Sequence, residues 1–318
     1  MTAIVILGMH RSGTSATTRA LGLLGASMGP EQSMGKFWEN QVMRRPNERL
    51  LEAFCGGWEC PPVMPDGWVQ SPPAQALVPE ARAALAGEYG SAPVFVWKDP
   101  RTCMTLPFWL ELLDEPPVIV FIHRHPVEVT SSLRTRNSLT TAHGFALWER
   151  FNGDALRHSV GLRTIVFEYG ALLADPHGNM ARLVDALNGW GVHLPNDPAT
   201  TDMELTPKRR HHEANAGVFD DPASTESQRE LYRILPRFAG AHDSFALTEP
   251  LPEPSPISTE LLGICAQLRA SRQETRQSNT ELRRLAGSRK RLLRRLIQSS
   301  LPGATPPVDG HAEASSSV

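Results

Sequence analysis

A short polar loop between an apolar segment and a predicted helix is the first stretch whose residue types could do chemistry. The loop reads G-M-H-R-S-G over residues 8–13 and is followed by T-S. Glycines let the backbone approach a ligand closely, and the free amides at a helix start attract phosphate. Arg11 adds a guanidinium that can bind two anion oxygens at once. The residues that we expect to bind this anion are His10, Arg11, Ser12, Gly13, Thr14 and Ser15.

The two glycines of this loop have the spacing of a P-loop, G-x-x-x-x-G-K-[ST], but the lysine is absent. Thr14 stands directly after Gly13, at the position of the lysine that serves ATP. An ATP-dependent phosphotransferase is an alternative function. The lysine that such an enzyme needs is missing here, although Asp99 could be its magnesium ligand.

Two further apolar segments, residues 94–97 and 118–122, end in charged turns. The first is followed by K-D-P-R, which contains Lys98 and Asp99, and the second by H-R-H, which contains Arg124. The carboxyl ends of parallel strands lie at one edge of a sheet, where open α/β sheets bind ligands. Ser132 follows Arg124 by eight residues. We expect the two side chains to meet over one anion at this edge.

An apolar segment at residues 3–7 and a further predicted strand at residues 164–168 complete a pattern of strands that alternate with predicted helices. The pattern predicts an α/β fold, a P-loop-type parallel β-sheet flanked by helices, with a C-terminal helical extension. The predicted divisions are an α/β domain at residues 1–247, a Pro-rich linker at 248–256, a basic amphipathic helix with a poor coiled-coil pattern at 257–300 and a disordered tail at 301–318.

Together these motifs resemble those of the sulfotransferase family over roughly residues 4–176, and most of all its bacterial branch with F-W-E and K-D-P-R motifs. In that family a lysine or arginine before S-G-T or G-G-T replaces the Walker lysine at the 5′-phosphosulfate, as Arg11 does here. A strand-ending arginine and a serine eight residues later hold the 3′-phosphate of the donor, and Arg124 and Ser132 have that spacing. The segment that begins at Tyr169 resembles Y-E-x-L-L-x-D-P, with Gly170 in place of the glutamate, which implies that Tyr169 flanks the adenine.

The resemblance implies transfer of a sulfuryl group from 3′-phosphoadenosine-5′-phosphosulfate (PAPS) to a hydroxyl or amine, without a metal. The acceptor would be a carbohydrate, a glycolipid or a small metabolite. Many members close the nucleotide site with a late basic loop, for which Arg209 and Arg210 are the candidates here. The residues that we expect to carry the catalysis are Arg11, Glu39, Lys98 and Asp99.

The reaction needs a general base within hydrogen-bond reach of the acceptor. Glu39 lies in F-W-E-N, where neighbouring aromatics would desolvate the carboxylate and raise its basicity. Carbohydrate-type sulfotransferases place a catalytic glutamate in the corresponding region. The histidine that many small-molecule members use after the second strand is absent, because Asp99 and Pro100 follow Lys98. Asp99 and His10 stay open as alternatives to Glu39.

Residues 55–73 are rich in Gly, Pro and Trp and are expected to form a loop. Long loops usually cover something. Trp58 and Trp68 could line an acceptor pocket or close over the core, and the sequence leaves both interpretations open.

The overall composition indicates neither nucleic acid nor a metal as partner. The net charge is −2, and the four cysteines show no C-x-x-C pairing and no histidine at ligand spacing. No signal peptide and no apolar run of the roughly 18 residues that a membrane span needs is found. These features predict a cytoplasmic protein.

The predicted C-terminal helix carries most of the positive charge. Residues 258–300 contain ten Lys and Arg against three Glu, and the basic residues alternate with leucines. Such a helix suits a surface of anionic lipid or an acidic partner, and self-association through the leucines is the alternative. A non-catalytic adaptor, whose body only binds a nucleotide while this helix does the work, is a third hypothesis for the function.

Overall fold

The computed structural model describes residues 1–201 and 219–299. The chain divides into two compact units, Met1–Arg269 and Ala270–Val318. Arg209 and Arg210 of the predicted basic loop, and the predicted tail at residues 301–318, lie outside the described residues. The domain boundaries predicted from the sequence stay predictions.

The first unit is built on a five-stranded sheet of strand order β2-β1-β3-β4-β5. Four strands pair in parallel and the fifth pairs antiparallel with β4. The parallel sheet is thus confirmed, whereas β5 was not predicted, because three residues without an apolar run carry no strand signal. The strands are β1 Thr2–Leu7, β2 Val94–Lys98, β3 Val118–His123, β4 Thr164–Glu168 and β5 Gly240–His242.

Eleven α-helices connect and follow the strands of the described chain. The predicted helix at residues 74–88 is two helices, α3 and α4, because Pro79 lacks an amide proton and suits the start of a new helix rather than the interior of one. The helices are α1 Thr14–Leu23, α2 Gln41–Ala53, α3 Pro72–Gln75, α4 Val78–Tyr89, α5 Thr102–Leu110, α6 Pro126–Asn137, α7 Thr141–Ser159, α8 Tyr169–Ala174, α9 Pro176–Gly189, α10 Glu226–Ile234 and α11 Pro256–Ser299.

The sheet is buried on both faces, as expected for parallel strands. Side chains alternate along β1, so that Val5 and Leu7 join one apolar cluster and Ile4 and Ile6 the other. Helices α2, α4, α5 and α7 contribute to the first cluster, and α1, α8 and α9 to the second. Because β1 pairs in parallel with β2 and with β3, the carboxyl ends of these three strands lie at one edge of the sheet.

Helix α11 continues without interruption from Pro256 to Ser299. The structure does not support the coiled coil. None of the described helices combines the length and the apolar character that a bilayer crossing requires.

Candidate active site

The loop at residues 8–13 joins β1 to α1 in a backbone conformation that depends on glycine. Gly8, Arg11 and Gly13 have φ angles of 148°, 71° and 93°. A Cβ atom on Gly13 would lie 2.1 Å from the ring of Tyr169. The N-cap residue of α1 is Gly13, which has no side chain to cap the first turn. The start of this helix therefore has the features that attract an anion.

Arg11 joins the loop to α6. Its Nε donates a hydrogen bond to Ser132 Oγ at 2.8 Å, and Arg124 Nη1 donates to the Arg11 carbonyl oxygen at 2.9 Å. Burial lowers the pKa of Arg11, and the nearby charges of Arg136 and Arg124 lower it further. The structure thus brings the loop, the strand-end arginine and the helix serine together, and it concentrates positive charge where they meet.

The position of Arg124 is fixed by several neighbouring elements. Its Nε forms a buried ion pair with Glu128 Oε2 at 2.6 Å, and Trp148 Nε1 donates to its carbonyl oxygen at 2.9 Å. Its guanidinium lies 5.1 Å from the centre of the Tyr169 ring. Tyr169 therefore lies between Arg124 and Gly13 and supports both.

The F-W-E segment reaches the loop through the backbone of Phe37. The Phe37 carbonyl oxygen accepts hydrogen bonds from Ser15 Oγ at 2.8 Å and from Lys98 Nζ at 2.7 Å. Lys98 Nζ also lies 3.0 Å from Glu39 Oε1, and the lysine side chain is almost fully buried. Burial lowers the pKa of Lys98, and Glu39 opposes that effect. Glu39 and Lys98 thus form an ion pair at the same edge as the loop.

Asp99 is buried and serves to hold its neighbours. Its carboxylate accepts from Asn47 Nδ2 at 2.9 Å and from Arg101 Nη1 at 2.8 Å. Arg101 also pairs with Glu48, at 3.2 Å. Burial lowers the pKa of Arg101, but Asp99 and Glu48 outweigh burial, and the net shift is upward. Asp99 therefore orients the guanidinium of Arg101.

His10 lies in an aromatic environment. Its ring centre is 4.4 Å from that of Trp58 and 5.7 Å from that of Phe151. Its Nε2 is buried without a hydrogen-bond partner among the described residues. Burial holds the pKa of His10 well below its ordinary value, and the charges of Arg101 and Lys98 add to this effect. The imidazole is therefore neutral at physiological pH.

These elements enclose a cavity of about 260 Å³. Six residues predicted from the sequence line it: His10, Arg11, Thr14, Ser15, Glu39 and Lys98. Arg124, Ser132 and Tyr169 adjoin the cavity through Arg11 and Gly13, and Ser12 is buried beside them.

The aromatic pair of the long loop is divided by the structure. Trp58 lines the cavity, whereas Trp68 is buried in the core with its ring 5.8 Å from that of Phe54.

Two cations that line the cavity were not predicted from the sequence: Arg44 and Arg136. Arg136 follows Ser132 by four residues on α6. Residues four apart share a helix face, and that spacing was the available signal. Arg101, which the K-D-P-R motif predicts at the carboxyl edge of the sheet, also lines the cavity.

Within residues 1–201 and 219–299, no group of three or more His, Cys, Asp or Glu side chains is placed to hold a metal ion.

Comparison with known proteins gives a family and several weakly similar structures. The family model described as sulfotransferase family matches residues 3–190. A comparison with curated protein sequences finds no significant match.

Several solved structures resemble the chain, among them three sulfotransferase structures. A sulfotransferase domain from the curacin biosynthetic pathway is 17% identical, with 84% of this chain and 97% of that chain covered and a TM-score of 0.41. The sulfotransferase STF1 from Mycobacterium tuberculosis H37Rv is 17% identical, with 65% and 71% covered and a TM-score of 0.38. The sulfotransferase domain of the Synechococcus PCC 7002 olefin synthase is 19% identical, with 85% and 94% covered and a TM-score of 0.35. Similarity this weak transfers no detail of the site.

Proposed function

The chain belongs to the sulfotransferase family, and we propose that it moves a sulfuryl group from PAPS to a hydroxyl or amine of a carbohydrate, a glycolipid or a small metabolite. The observation that carries this proposal is the contact of Arg11 with both Ser132 and Arg124. It joins a loop suited to the 5′ end of the donor to a pair suited to the 3′-phosphate. ATP has no 3′-phosphate for that pair to bind.

The residues at the cavity fit the two ends of the donor. The amides at the start of α1, with Thr14 and Ser15, would bind the 5′-phosphate. Arg124 and Ser132 would bind the 3′-phosphate, since both adjoin the cavity through Arg11. Arg11 and Lys98 line the cavity itself and would bind near the bridging oxygen between sulfur and phosphorus.

In the proposed reaction the acceptor oxygen or nitrogen forms a bond to sulfur while the bond between sulfur and the bridging oxygen breaks. The electron pair of the broken bond stays on the 5′-phosphate of the leaving adenosine 3′,5′-bisphosphate, and Glu39 takes the acceptor proton. Arg11 and Lys98 neutralise the charge that develops on the bridging oxygen. Holding both reactants in line provides the remaining rate enhancement.

Glu39 is the best placed of the three candidate bases. It lines the cavity, and its Oε1 contacts Lys98, which links it to the loop through Phe37. Asp99 is almost fully buried and is engaged by Asn47 and Arg101. His10 is the weaker base, because burial and the neighbouring cations hold its pKa well below the ordinary value.

The test of this assignment is Glu39→Gln. The purified variant and the wild type are incubated with PAPS labelled at sulfur and with a panel of sugars, glycolipids, aminoglycosides and phenols, and label transfer is counted. General-base catalysis contributes about 10²–10⁴-fold, so we expect a loss of turnover of that size, with adenosine 3′,5′-bisphosphate still bound.

The matched control for this test is Glu31→Gln. Glu31 is exposed and precedes the same segment, and its loss is expected to leave turnover unchanged. Wild-type turnover in Glu39→Gln would remove Glu39 from the mechanism. If Glu39→Gln and Lys98→Met both keep the biological function of the protein, the adaptor hypothesis is favoured, because an adaptor does not need the catalytic residues. Transfer from ATP labelled at the γ-phosphate, in the presence of magnesium, would favour the phosphotransferase.

The proposal places this reaction in the cytoplasm. The four cysteines show no C-x-x-C spacing in the sequence, which supports a reducing compartment.

A further inference from the structure

Arg136 is a cation of the cavity that the binding of the two phosphates does not use. It lies on α6, one turn beyond Ser132, and its side chain is exposed. Its guanidinium lies 3.9 Å from the centre of the Phe37 ring. Among residues 1–201 and 219–299, no carboxylate forms an ion pair with it. Arg136 therefore brings to the cavity a positive charge that no carboxylate of the described residues compensates.

The charge of Arg136 acts inside the cavity as well as at its rim. It lowers the pKa of Arg11, where it is the largest cause after burial, and it also lowers the pKa of His10. The described contacts of the Arg11 guanidinium include the Ser132 hydroxyl but no carboxylate. Two guanidiniums that act on each other without a carboxylate between them repel each other, and a bound anion would relieve that repulsion.

The ring of Phe37 packs against Arg136 and positions it at this cavity. The carbonyl of Phe37 is held by Ser15 and by Lys98, and its ring lies against the Arg136 guanidinium. A guanidinium stacked on a ring keeps its N–H donors available in the ring plane for an anion. One residue thus ties the loop helix, the buried lysine and Arg136 to each other.

We propose that Arg136, seated on Phe37, binds the sulfonate group of the donor and orients it for transfer. This inference rests on the proposed function. In the proposed complex the loop and α1 bind the 5′-phosphate, and Arg124 and Ser132 bind the 3′-phosphate. The sulfonate is the one anionic group of the donor that still needs a binding residue. Arg136 and the candidate base Glu39 line the same cavity, where the sulfonate must lie when an acceptor attacks it.

The inference is tested with two nucleotides that differ only by the sulfonate. Dissociation constants for PAPS and for adenosine 3′,5′-bisphosphate are measured calorimetrically without acceptor, for the wild type and for Arg136→Gln. A hydrogen bond to a charged group contributes about 1.5–3 kcal/mol, so we expect PAPS affinity to fall about tenfold or more. Affinity for the bisphosphate is expected to change less than about twofold, because the group that Arg136 binds is absent from it.

Two further variants separate a specific contact from a general loss of charge. Arg134→Gln removes the same charge from an exposed position on the same helix, outside the residues that line the cavity, and should leave both affinities unchanged. Phe37→Leu keeps the backbone carbonyl but removes the ring, and should weaken PAPS binding in the same direction as Arg136→Gln.

Three outcomes would overturn the inference, and they differ from one another. Equal loss of affinity for both nucleotides would place Arg136 at a phosphate. No loss for either, with a raised KM for the acceptor, would make it an acceptor-binding residue. A wild-type protein that binds neither nucleotide would overturn the proposed function, and the role of Arg136 with it.

Discussion

At the scale of single residues, His123 makes the stability of the folded state depend on pH. It is the last residue of β3 and is fully buried, and neither ring nitrogen has a hydrogen-bond partner among the described residues. Burial lowers the pKa of His123 to about 4. In the unfolded chain a histidine titrates near pH 6.5. Below about pH 6.5 the unfolded chain therefore takes up a proton that the folded chain does not, and stability falls as the pH decreases towards about 4.

We expect His123→Leu to reduce this pH dependence. The variant removes one proton from the linkage, so the slope of unfolding free energy against pH should fall by up to about 1.4 kcal/mol per pH unit between about pH 4 and 6.5. Urea denaturation at several pH values measures the slope. His10 and His158, whose pKa values burial also lowers, should leave a residual slope of the same sign. An unchanged slope in the variant would contradict this account of His123.

The sequence supported the prediction of some site residues better than others. Arg11, Arg124 and Ser132 lie in local motifs with fixed spacing, and the structure places them in contact. Arg136 shares a helix face with Ser132, but its place in the sequence does not show that it lies against Phe37. Nothing in the sequence separates Trp58, which lines the cavity, from Trp68, which is buried in the core. That distinction depends on tertiary packing.

At the scale of secondary-structure elements, one buried amide ties α2 to the end of β2 and to α5. Asn47 Nδ2 donates to Asp99 Oδ2 at 2.9 Å and to Thr102 Oγ1 at 3.1 Å. Its Oδ1 accepts from Thr105 Oγ1 at 2.6 Å and from Trp109 Nε1 at 2.7 Å. Since Asp99 in turn orients Arg101, this network sets one wall of the cavity.

We expect Asn47→Ala to lower the free energy of unfolding by about 2–4 kcal/mol, because it leaves several buried polar groups without partners. Chemical denaturation measures the loss. Asn188→Ala, at an exposed amide that bonds His193, is the matched control and should change stability by less than about 0.5 kcal/mol. A loss below about 1 kcal/mol in Asn47→Ala would show that the network is not a main connection of α2.

The parallel strands were predictable to within one residue at each end, because each contains at least three consecutive apolar residues. Both β2 and β3 extend one residue further, into Lys98 and His123, since pairing with β1 and β4 continues there. The antiparallel strand Gly240–His242 was not predictable, because its pairing with β4 and not its residue types makes it a strand. The parallel strands are thus determined by their local sequence pattern, whereas the antiparallel strand is determined by its tertiary contact with β4.

At the scale of the whole molecule, charge is divided unevenly along the chain. The net charge of the chain is only −2, but residues 258–300 contain ten Lys and Arg and three Glu. In the second unit helix α11 exposes four leucines, Leu282, Leu285, Leu292 and Leu293, among basic side chains. Only the distribution of charge, read along the sequence, pointed to this segment.

We propose that the second unit binds a surface of anionic lipid, because its basic residues match that charge and its leucines can enter the interface. Co-sedimentation with vesicles of phosphatidylcholine and phosphatidylglycerol should be strong at 0.1 M salt, weaker at about 0.5 M and absent with phosphatidylcholine alone.

Leu285→Ser combined with Leu292→Ser should abolish the vesicle binding. Leu23→Ser, at an exposed leucine of the first unit, should not. If the wild type forms dimers and binds no vesicles, lipid binding is contradicted. Dissociation of these dimers in the double variant would favour self-association through the leucines.

The proposed 3′-phosphate site is tested by a calorimetric comparison of adenosine 3′,5′-bisphosphate with adenosine 5′-monophosphate, which lacks the 3′-phosphate. We expect the bisphosphate to bind at least about tenfold more tightly, since charged hydrogen bonds contribute about 1.5–3 kcal/mol each. Ser132→Ala, which removes a hydroxyl at the Arg11 contact and leaves the Arg124–Glu128 pair intact, should narrow that difference. Equal affinity for the two nucleotides, or tighter binding of ATP with magnesium, would contradict a site built for a 3′-phosphorylated donor.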